Sequence, residues 1–387
     1  MDFSFDALRR WPDVEAPNLY AVDATDRLLL DTAATAMADA APDDVVAMGD
    51  RYGALALGAI AQHDVPSVRV HQDALSQERA ITANAERFGL NDRVAQHPLD
   101  AALVSGARVV LLQLPRSLDA LDEIAELIAR HADPDVRVFA GGRVKHMSTA
   151  INDVLRRSFQ NVEAGLARQK SRVLTTSGAV PRAESSSVPS PTGASAGPRW
   201  PRAQRHDELA LTVWAHGAAF AGTRIDVGTR FLLDHLDSIP ASARTIVDLG
   251  CGTGVLATAF ALHRPDADVT ATDQSAAATA SSHLTADANG VSDRVTVIRD
   301  DGLSTLPDAS IDAVLLNPPF HIGASVHTGL ALKLFAEAGR VLKPGGTLLC
   351  VWNSHLHYRA QLERHVGVTQ QVARNAKFTV TTSRRPS

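Results

Sequence analysis

The sequence predicts an α/β protein made of two tandem domains, each with a mostly parallel sheet flanked by helices. In the second half of the chain, strand-like apolar runs alternate with helix-like segments, a pattern typical of parallel strands joined by helical crossovers. The first half resembles the second at a nearly constant spacing. With 387 residues, the chain is also long enough for two separate cores.

The alternation in the second half gives the order of the predicted elements. The predicted strands are 245–249, 268–272, 295–299, 313–316 and 347–351. The predicted helices are 255–263, 275–289 and 330–341. We expect Lys343-Pro344-Gly345-Gly346 to end the last helix and turn the chain into the fifth strand. This order predicts a Rossmann-like sheet.

The internal repeat rests on four matches in the same order along the chain. Gly49 aligns with Gly250, and 91–94 align with 292–295, both 201 positions apart. The spacing is 200 for Asp73 and Asp273, and 204 for 109–116 and 313–320. Ordered matches at such similar spacings predict a duplicated domain. The predicted boundaries are 1–176 for the first domain and 206–387 for the second, with a flexible Ser/Pro-rich linker at 177–205.

Composition excludes several classes of protein. The net charge of −5 and the pI near 6.3 give no global basic field for nucleic acid, so an RNA contact would need a local basic patch. Two cysteines cannot form a disulfide framework and favour a reducing, cytoplasmic setting. No apolar run reaches membrane-spanning length, so we expect a protein that is neither secreted nor embedded.

A glycine-rich loop follows the first strand of the second domain. Its sequence is Asp248-Leu249-Gly250-Cys251-Gly252-Thr253-Gly254. Glycines at alternate positions let the backbone approach a ligand at the start of the next helix. A plain tight turn is the alternative interpretation. A dinucleotide fingerprint is disfavoured, because its third glycine would fall at Val255.

The first copy differs from the second where a ligand would bind. Asp50, Arg51 and Tyr52 stand at the positions of Cys251, Gly252 and Thr253. The end of the fourth strand reads Gln113-Leu114-Pro115-Arg116 instead of Asn317-Pro318-Pro319-Phe320. We infer that the first copy is degenerate and keeps the fold without a cofactor site.

Acidic residues follow three consecutive strands of the second domain. Asp248 and Asp273 end the first two strands, and Asp300-Asp301-Gly302 follows the third. Asp273 could hold two ribose hydroxyls, and Asp301, or alternatively Asp300, could contact an adenine amino group. An acidic, solvated turn is the competing interpretation for the third position. Because carboxyl ends of parallel strands meet at one edge of a sheet, the three acids together predict one binding site.

Asn317-Pro318-Pro319-Phe320 ends the fourth strand of the second domain. Two prolines cannot donate to a sheet ladder, so the chain must bend there. The Asn317 side-chain oxygen and the Pro318 carbonyl could accept both hydrogens of an exocyclic amine, while Phe320 stacks on a flat base. An ordinary Asn-Pro turn beside a core Phe is the alternative. We interpret His321 as a loop residue, and His355-Leu356-His357 is too sparse for a metal site, so we expect no metal.

These residues resemble the class I S-adenosylmethionine-dependent methyltransferases. The degenerate-plus-intact arrangement, with 141–147 and 222–229, is similar to the RsmC/RlmG group of ribosomal RNA guanine-N2 methyltransferases. The resemblance implies methyl transfer from S-adenosylmethionine to guanine N2, with ribosomal RNA or a ribosomal subunit as partner. Methylation of adenine N6 or protein glutamine, and a non-catalytic RNA-binding or ribosome-assembly factor, are the alternatives.

The resemblance also implies which residues form the site. The catalytic set is Asn317, Pro318, Pro319 and Phe320. The cofactor set is Asp226, Gly228, Thr229, Asp248, Gly250, Cys251, Gly252, Gly254, Asp273, Gln274, Asp301, Gly302 and Asn317, with the first three bordering the methionine end. Candidate phosphate contacts in the first domain are Arg143, Lys145, Arg156 and Arg157, for which solvated surface positions are an equal alternative. We expect a monomer.

Overall fold

The computed structural model describes residues 3–180, 198–318 and 327–387. The chain divides into two compact units, Met1–Trp200 and Pro201–Ser387. The strands of the first unit are β1 (Val45–Met48), β2 (Val68–His71), β3 (Val94–Gln96), β4 (Val109–Gln113), β5 (Arg137–Arg143), β6 (Phe159–Ala164) and β7 (Ser171–Ala179). Its helices are α1 (Ala24–Met37), α2 (Ala54–His63), α3 (Leu75–Phe88), α4 (Ala101–Val104), α5 (Leu118–His131) and α6 (Thr149–Leu155).

After an added hairpin, the second unit has the same succession of helices and strands, except that its described residues include no counterpart of α4. Its strands are β8 (Arg202–His206), β9 (Leu211–Ala215), β10 (Thr245–Leu249), β11 (Asp268–Asp273), β12 (Val295–Arg299), β13 (Ile311–Leu316), β14 (Leu342–Asn353), β15 (Val368–Arg374) and β16 (Phe378–Arg384). Its helices are α7 (Val227–Leu233), α8 (Val255–His263), α9 (Ala276–Ala288), α10 (His327–Val341) and α11 (Arg359–His365). Single 3-10 turns lie at Phe5–Ala7, Asn91–Arg93, Val144–His146, Asp207–Leu209, Leu236–Ser238 and Ser354–Leu356.

Each unit contains one seven-stranded sheet, and the two sheets have the same topology. The strand order is β3-β2-β1-β4-β5-β7-β6 in the first unit and β12-β11-β10-β13-β14-β16-β15 in the second. In each sheet the first five strands of this order run parallel, and the last two add antiparallel pairs. The duplicated, mostly parallel α/β fold predicted from the sequence is therefore confirmed.

The central strands of both sheets are buried on both faces. In β13, Ala313 and Leu315 pack into one apolar cluster, whereas Val314 and Leu316 pack into another. The equivalent strand of the first unit, β4, divides its side chains between two clusters in the same way. Strands covered on both sides read as continuous apolar runs, which is why they were visible in the sequence.

Among the predicted elements whose ends differ from the structure, the linker and the turn before the fifth strand differ in kind. β7 continues to Ala179 and β8 begins at Arg202, so both ends of the predicted 177–205 linker are strands. β14 begins at Leu342, directly after α10, so Lys343–Gly346 belong to an irregular part of the strand. The register of its pairing with β13 shifts between Ile311 and Ala313. This irregularity accommodates Pro344, which cannot donate a hydrogen bond, and Gly345, which has a positive φ of 77°.

The β8–β9 hairpin of the second unit is attached through side chains of α9. The backbone N–H groups of Thr212, Trp214 and His216 donate to Asn289, Thr285 and Ser281 side chains at 2.9, 3.0 and 2.9 Å. Alternate strand residues are about 6.6 Å apart and helix residues four apart are about 6 Å apart, so the two rows match. Polar helix positions thus substitute for a neighbouring strand.

Candidate functional site

The candidate site lies at the carboxyl ends of β10, β11 and β13. β10 is central, with β11 on one side and β13 on the other, so the chain leaves β10 and β13 in different directions. A crevice at such a reversal of strand order is where open α/β sheets bind ligands. The loops after these strands carry Gly250–Gly254, Asp273 and Asn317.

The glycine loop packs against α9 at Gly254 and faces open space at Gly250 and Gly252. Gly250, Gly252 and Gly254 all have positive φ, at 75°, 53° and 75°. A Cβ at Gly250 or Gly252 would meet nothing within 4 Å, whereas one at Gly254 would lie 2.4 Å from the Ser282 hydroxyl. Gly254 therefore serves helix packing, between α8 and α9. Gly250 and Gly252 leave room above the backbone that a ligand can occupy.

Asp273 connects this loop to the start of α9. One carboxylate oxygen accepts the Gly252 N–H at 3.1 Å, and the other accepts the Ser275 N–H at 2.9 Å. Both carboxylate oxygens are acceptors, and the two contacts place them beside the open side of the loop. Gln274 contributes its backbone carbonyl, which accepts from the Arg299 side chain at 3.3 Å. The structure therefore brings Asp273 and the glycine loop together.

The two acids after β12 have different surroundings. Asp300 is buried, and its carboxylate accepts hydrogen bonds from Ser304 and Thr305. The Asp300 side chain thereby caps the turn that follows it. Burial alone would raise the pKa of Asp300, but these hydrogen bonds lower it below its ordinary value. Asp301 is partly exposed and pairs with Lys333 at 2.6 Å. Asp301 is thus the member of the pair whose side chain remains accessible to a ligand beside Gly302.

Asp248 lies under the glycine loop and has no exposed surface. One of its oxygens accepts the Ala257 N–H at 2.9 Å, near the start of α8. The other has no hydrogen-bond partner among the described residues. Burial, and secondarily the negative charge of Asp273, raise the pKa of Asp248 to about 7. Its position supports the loop from below.

The raised pKa of Asp248 predicts a pH-dependent stability. Between about pH 4 and 7 the unfolded chain releases this proton while the folded protein keeps it, so stability falls as pH rises. For a folded pKa of about 7 the effect is up to roughly 4 kcal/mol, since one pKa unit corresponds to about 1.4 kcal/mol. We expect Asp248→Asn to flatten this decline in thermal unfolding measured from pH 5 to 8. An unchanged slope would contradict the assignment.

Asn317 contacts the first turn of α7. Its amide nitrogen donates to Asp226 Oδ2 at 3.2 Å and to Thr229 Oγ1 at 3.0 Å. Asp226 is the N-cap of α7 and also accepts the Gly228 N–H at 2.8 Å. A Cβ at Gly228 would lie 3.3 Å from Asn317 Oδ1, so glycine permits this close approach. Asn317 Oδ1 is buried and has no hydrogen-bond partner among the described residues.

Two parts of the predicted catalytic set cannot be placed. Pro318 directly follows Asn317 and is buried, but Pro319 and Phe320 lie outside the described residues, as does His321.

Cys251 is nearly buried in the loop, and burial raises the pKa of its thiol well above the ordinary value. Cys251 is therefore a packing residue of the loop and is not poised as a nucleophile.

Sequence reasoning missed two neighbours of the site. Lys333 pairs with Asp301 from α10, and Phe378 of β16 lies against Gly228. Phe378 belongs to the antiparallel end of the sheet, which the alternation of strands and helices did not predict. Lys333 had no signal in the sequence, because it approaches Asp301 only once α10 packs beside the loop.

Comparison with known proteins identifies the family. A family described as "Methyltransferase small domain" matches residues 210–382, and one described as "RLMG N-terminal domain" matches residues 2–180. "Ribosomal RNA large subunit methyltransferase G" of Streptomyces coelicolor is 34% identical over 379 residues, covering 96% of both chains. The protein of that name from Pseudomonas putida W619 is also 34% identical, covering 98% of this chain and 97% of its own.

The chain belongs to the ribosomal RNA large subunit methyltransferase G family. A solved structure agrees with this fold along nearly the whole chain. It is the Thermus thermophilus protein titled "16S rRNA N2 G1207 methyltransferase (RsmC) in complex with AdoMet and Guanosine", with a TM-score of 0.71. It is 19% identical and covers 94% of this chain and 92% of its own. The predicted resemblance to this group of methyltransferases is thereby confirmed.

The first unit of this chain has the sheet topology of the second unit but an altered loop. Gly49 and Gly53 have positive φ of 71° and 89°, as Gly250 and Gly254 do. Between them, Asp50 is fully buried and accepts the N–H groups of Gly53 and Ala56 at 3.0 and 2.8 Å. Tyr52 is also buried and donates to Asp13 at 2.7 Å. The loop is therefore occupied by its own side chains.

Other expectations for this methyltransferase concern its partners. Of the candidate phosphate contacts, Arg156 pairs with Asp153 and Arg157 pairs with buried Asp122, both at 3.4 Å. In the parts of the chain that the structure describes, no helix has the length and apolar character needed to cross a bilayer. Within the same parts, no group of three or more His, Cys, Asp or Glu side chains could hold a metal ion.

Proposed function

We propose that this protein transfers a methyl group from S-adenosylmethionine to the exocyclic N2 amine of a guanine in ribosomal RNA. The observation that carries the proposal is Asn317 Oδ1, a buried acceptor without a partner among the described residues. A buried, unpaired carbonyl oxygen is costly unless a ligand supplies a donor. The names of the relatives support large-subunit RNA as the substrate.

The residues present fit the cofactor. Gly250 and Gly252 leave open space above the loop at the start of α8, where a ligand can approach the backbone closely. Asp273 is anchored beside that space by Gly252, and its carboxylate is the kind of acceptor that binds ribose hydroxyls. Asp301, one strand further along, is accessible for an adenine amino group. When bound, S-adenosylmethionine supplies an electrophilic methyl group on a positively charged sulfur.

The protein's own contribution is orientation and electrostatic support. Asn317 Oδ1 accepts a hydrogen of the guanine N2 amine, and the Pro318 carbonyl is the second acceptor that we propose. Two such bonds hold the amine so that its lone pair leaves conjugation with the ring and points at the methyl donor. They also stabilise the positive charge that develops on nitrogen during transfer.

Proton release needs no dedicated base in this scheme. The amine nitrogen becomes strongly acidic as it gains the methyl group, so a proton can pass to solvent. Asn317 is a neutral amide that accepts hydrogen bonds without taking the proton.

We further propose that the enzyme works in the cytoplasm as a monomer without a metal ion. In that case a chelator leaves its activity unchanged, and light scattering gives a mass near 41 kDa.

The experiment that tests this function is mass mapping of ribosomal RNA from a deletion strain and its parent. We expect one N2-methylguanosine of the large-subunit RNA to disappear in the deletion strain and to return with the wild-type gene. Purified protein with labelled S-adenosylmethionine should then methylate the unmodified RNA. A full set of N2-methylguanosines in the deletion strain would refute the proposal, and loss of N6-methyladenosine or of a methylglutamine would redirect it to another planar amine.

A further inference from the structure

We propose that Asp226 and Thr229 are positioning residues that clamp the amide of Asn317 for methyl transfer. This inference rests on the proposed function. The clamp consists of two hydrogen bonds from Asn317 Nδ2, one to Asp226 Oδ2 at 3.2 Å and one to Thr229 Oγ1 at 3.0 Å. Both acceptors lie in the first turn of α7, three positions apart, so that one helix start receives both hydrogens of the amide.

The clamp determines which end of the amide faces the substrate. An asparagine amide has a donor end and an acceptor end that occupy nearly the same space, so packing alone does not choose between them. Ionised Asp226 can only accept, and therefore it selects the NH₂ group. The carbonyl oxygen then takes the other position of the amide, beside Gly228, where it is buried without a partner among the described residues. A flipped amide would present donors to an amine that itself needs acceptors.

The charge of Asp226 also acts through the amide. Its Oδ2 atom accepts from Gly228 and Thr229 N–H as well as from Asn317, so the carboxylate stays ordered at the helix start. A negative charge behind the NH₂ group polarises the amide and makes the carbonyl oxygen a stronger acceptor. The oxygen then interacts better with an amine nitrogen that becomes positive during transfer. Asp226 thus affects the reaction without touching the substrate.

The first unit keeps a related contact without the chemistry. The Gln113 amide nitrogen donates to Asp26 Oδ1, and Asp26 is the third residue after the N-cap of α1, as Thr229 is in α7. Because that copy has an altered glycine loop, the contact there serves to join the helix to the strand end. A purely structural role is therefore the competing explanation for Asp226 and Thr229, and the experiment must separate the two.

The first test compares Thr229→Val with Thr229→Ser. Valine has the shape of threonine but cannot accept from Asn317, whereas serine keeps the hydroxyl. We expect Thr229→Val to lower kcat about tenfold, the loss typical of one functional hydrogen bond, with KM for RNA and the melting temperature close to wild type. Thr229→Ser should restore kcat. Equal kcat in valine and wild-type enzymes, or equal losses in both variants, would overturn the clamp.

The second test is Asp226→Asn, which removes the charge but keeps an acceptor oxygen and a good N-cap. We expect kcat to fall by about tenfold or more while helix stability is retained, because the loss concerns polarisation of the Asn317 amide. An unchanged kcat would overturn the charge effect.

A substrate-free measurement keeps this inference separate from the proposed function. In ¹⁵N spectra, the Asn317 NH₂ group, assigned by its absence in Asn317→Asp, should exchange slowly with solvent in wild type and faster in Thr229→Val. If wild type methylates another amine, or none in ribosomal RNA, the proposed function fails while the clamp is still decided by this exchange. Equal exchange in both proteins would refute the clamp even if wild type methylates guanine.

Discussion

Replacing Asn317 with alanine should lower kcat by about 100- to 1,000-fold, the range found when one electrostatic contact to a reacting group is removed. The variant loses the buried Oδ1 acceptor, so the amine is neither aimed nor stabilised as it becomes positive. The cofactor should still bind in calorimetry, because Gly250, Gly252 and Asp273 are untouched and only a contact from Asn317 itself is lost. Steady-state methylation of unmodified ribosomal RNA at saturating cofactor measures the effect.

The matched control for Asn317→Ala is Gln113→Ala in the first unit. Gln113 ends β4 and Asn317 directly follows β13, the equivalent strand. Each donates its amide N–H to the helix that precedes the first parallel strand of its sheet, α1 or α7. Gln113→Ala leaves the largely buried Asp26 without this donor, so we expect a loss of stability of about 1 kcal/mol and an unchanged kcat. Similar losses of kcat in the two variants would show that the amide acts through folding, and would remove the catalytic assignment of Asn317.

Gly252→Arg should weaken S-adenosylmethionine binding by at least about 100-fold, because the new side chain would fill the space that Gly252 leaves open. The loop can accommodate the side chain without a clash against the protein, so the fold should survive. A positive φ of 53° at a non-glycine residue costs about 1 kcal/mol, which predicts only a small fall in melting temperature. Calorimetric titration with the cofactor measures the change in affinity.

Two control variants show whether the loss of affinity in Gly252→Arg comes from the open space of the loop. Arg51→Gly changes the equivalent position of the first unit, and we expect it to leave both cofactor affinity and kcat at wild-type values. Gly254→Ala places a Cβ against Ser282 and should lower the melting temperature, because it disturbs the packing of α8 on α9. If Gly252→Arg binds the cofactor normally, the open space is not the cofactor site. If Gly252→Arg loses as much melting temperature as Gly254→Ala, its loss of affinity reflects disturbed packing.

The strands and helices of the second unit were predictable because they satisfy local rules. β10 is largely a buried apolar run, β10 and β12 both have the bounds that the sequence predicts, and α8 begins and ends where expected. The antiparallel strands β15 and β16 were not predicted, since the exposed β15 and the buried, threonine-rich β16 both lack a continuous apolar run. The β8–β9 hairpin also escaped, because its backbone partners are side chains of Ser281, Thr285 and Asn289 on a helix.

The site shows the same division between local and tertiary information. The glycine loop and Asn317 were identified from their residue types and their place after strands. The roles of the acids depended on burial, which no local pattern reports. Asp248 lies beneath the loop, Asp300 caps its own turn, and Asp301 stays accessible beside Lys333.

The sequence by itself determined that this protein is a duplicated α/β methyltransferase with one intact copy. Periodicity, glycine spacing and the altered residues 50–52 are properties of short segments, and they survive as a readable pattern. Only the tertiary structure showed how Asn317 is held. Asp226 and Asn317 are 91 positions apart, and they meet because the end of β13 lies beside the start of α7 in the folded unit. The orientation of a single amide depends on that contact, since its two ends differ only in the partners they find.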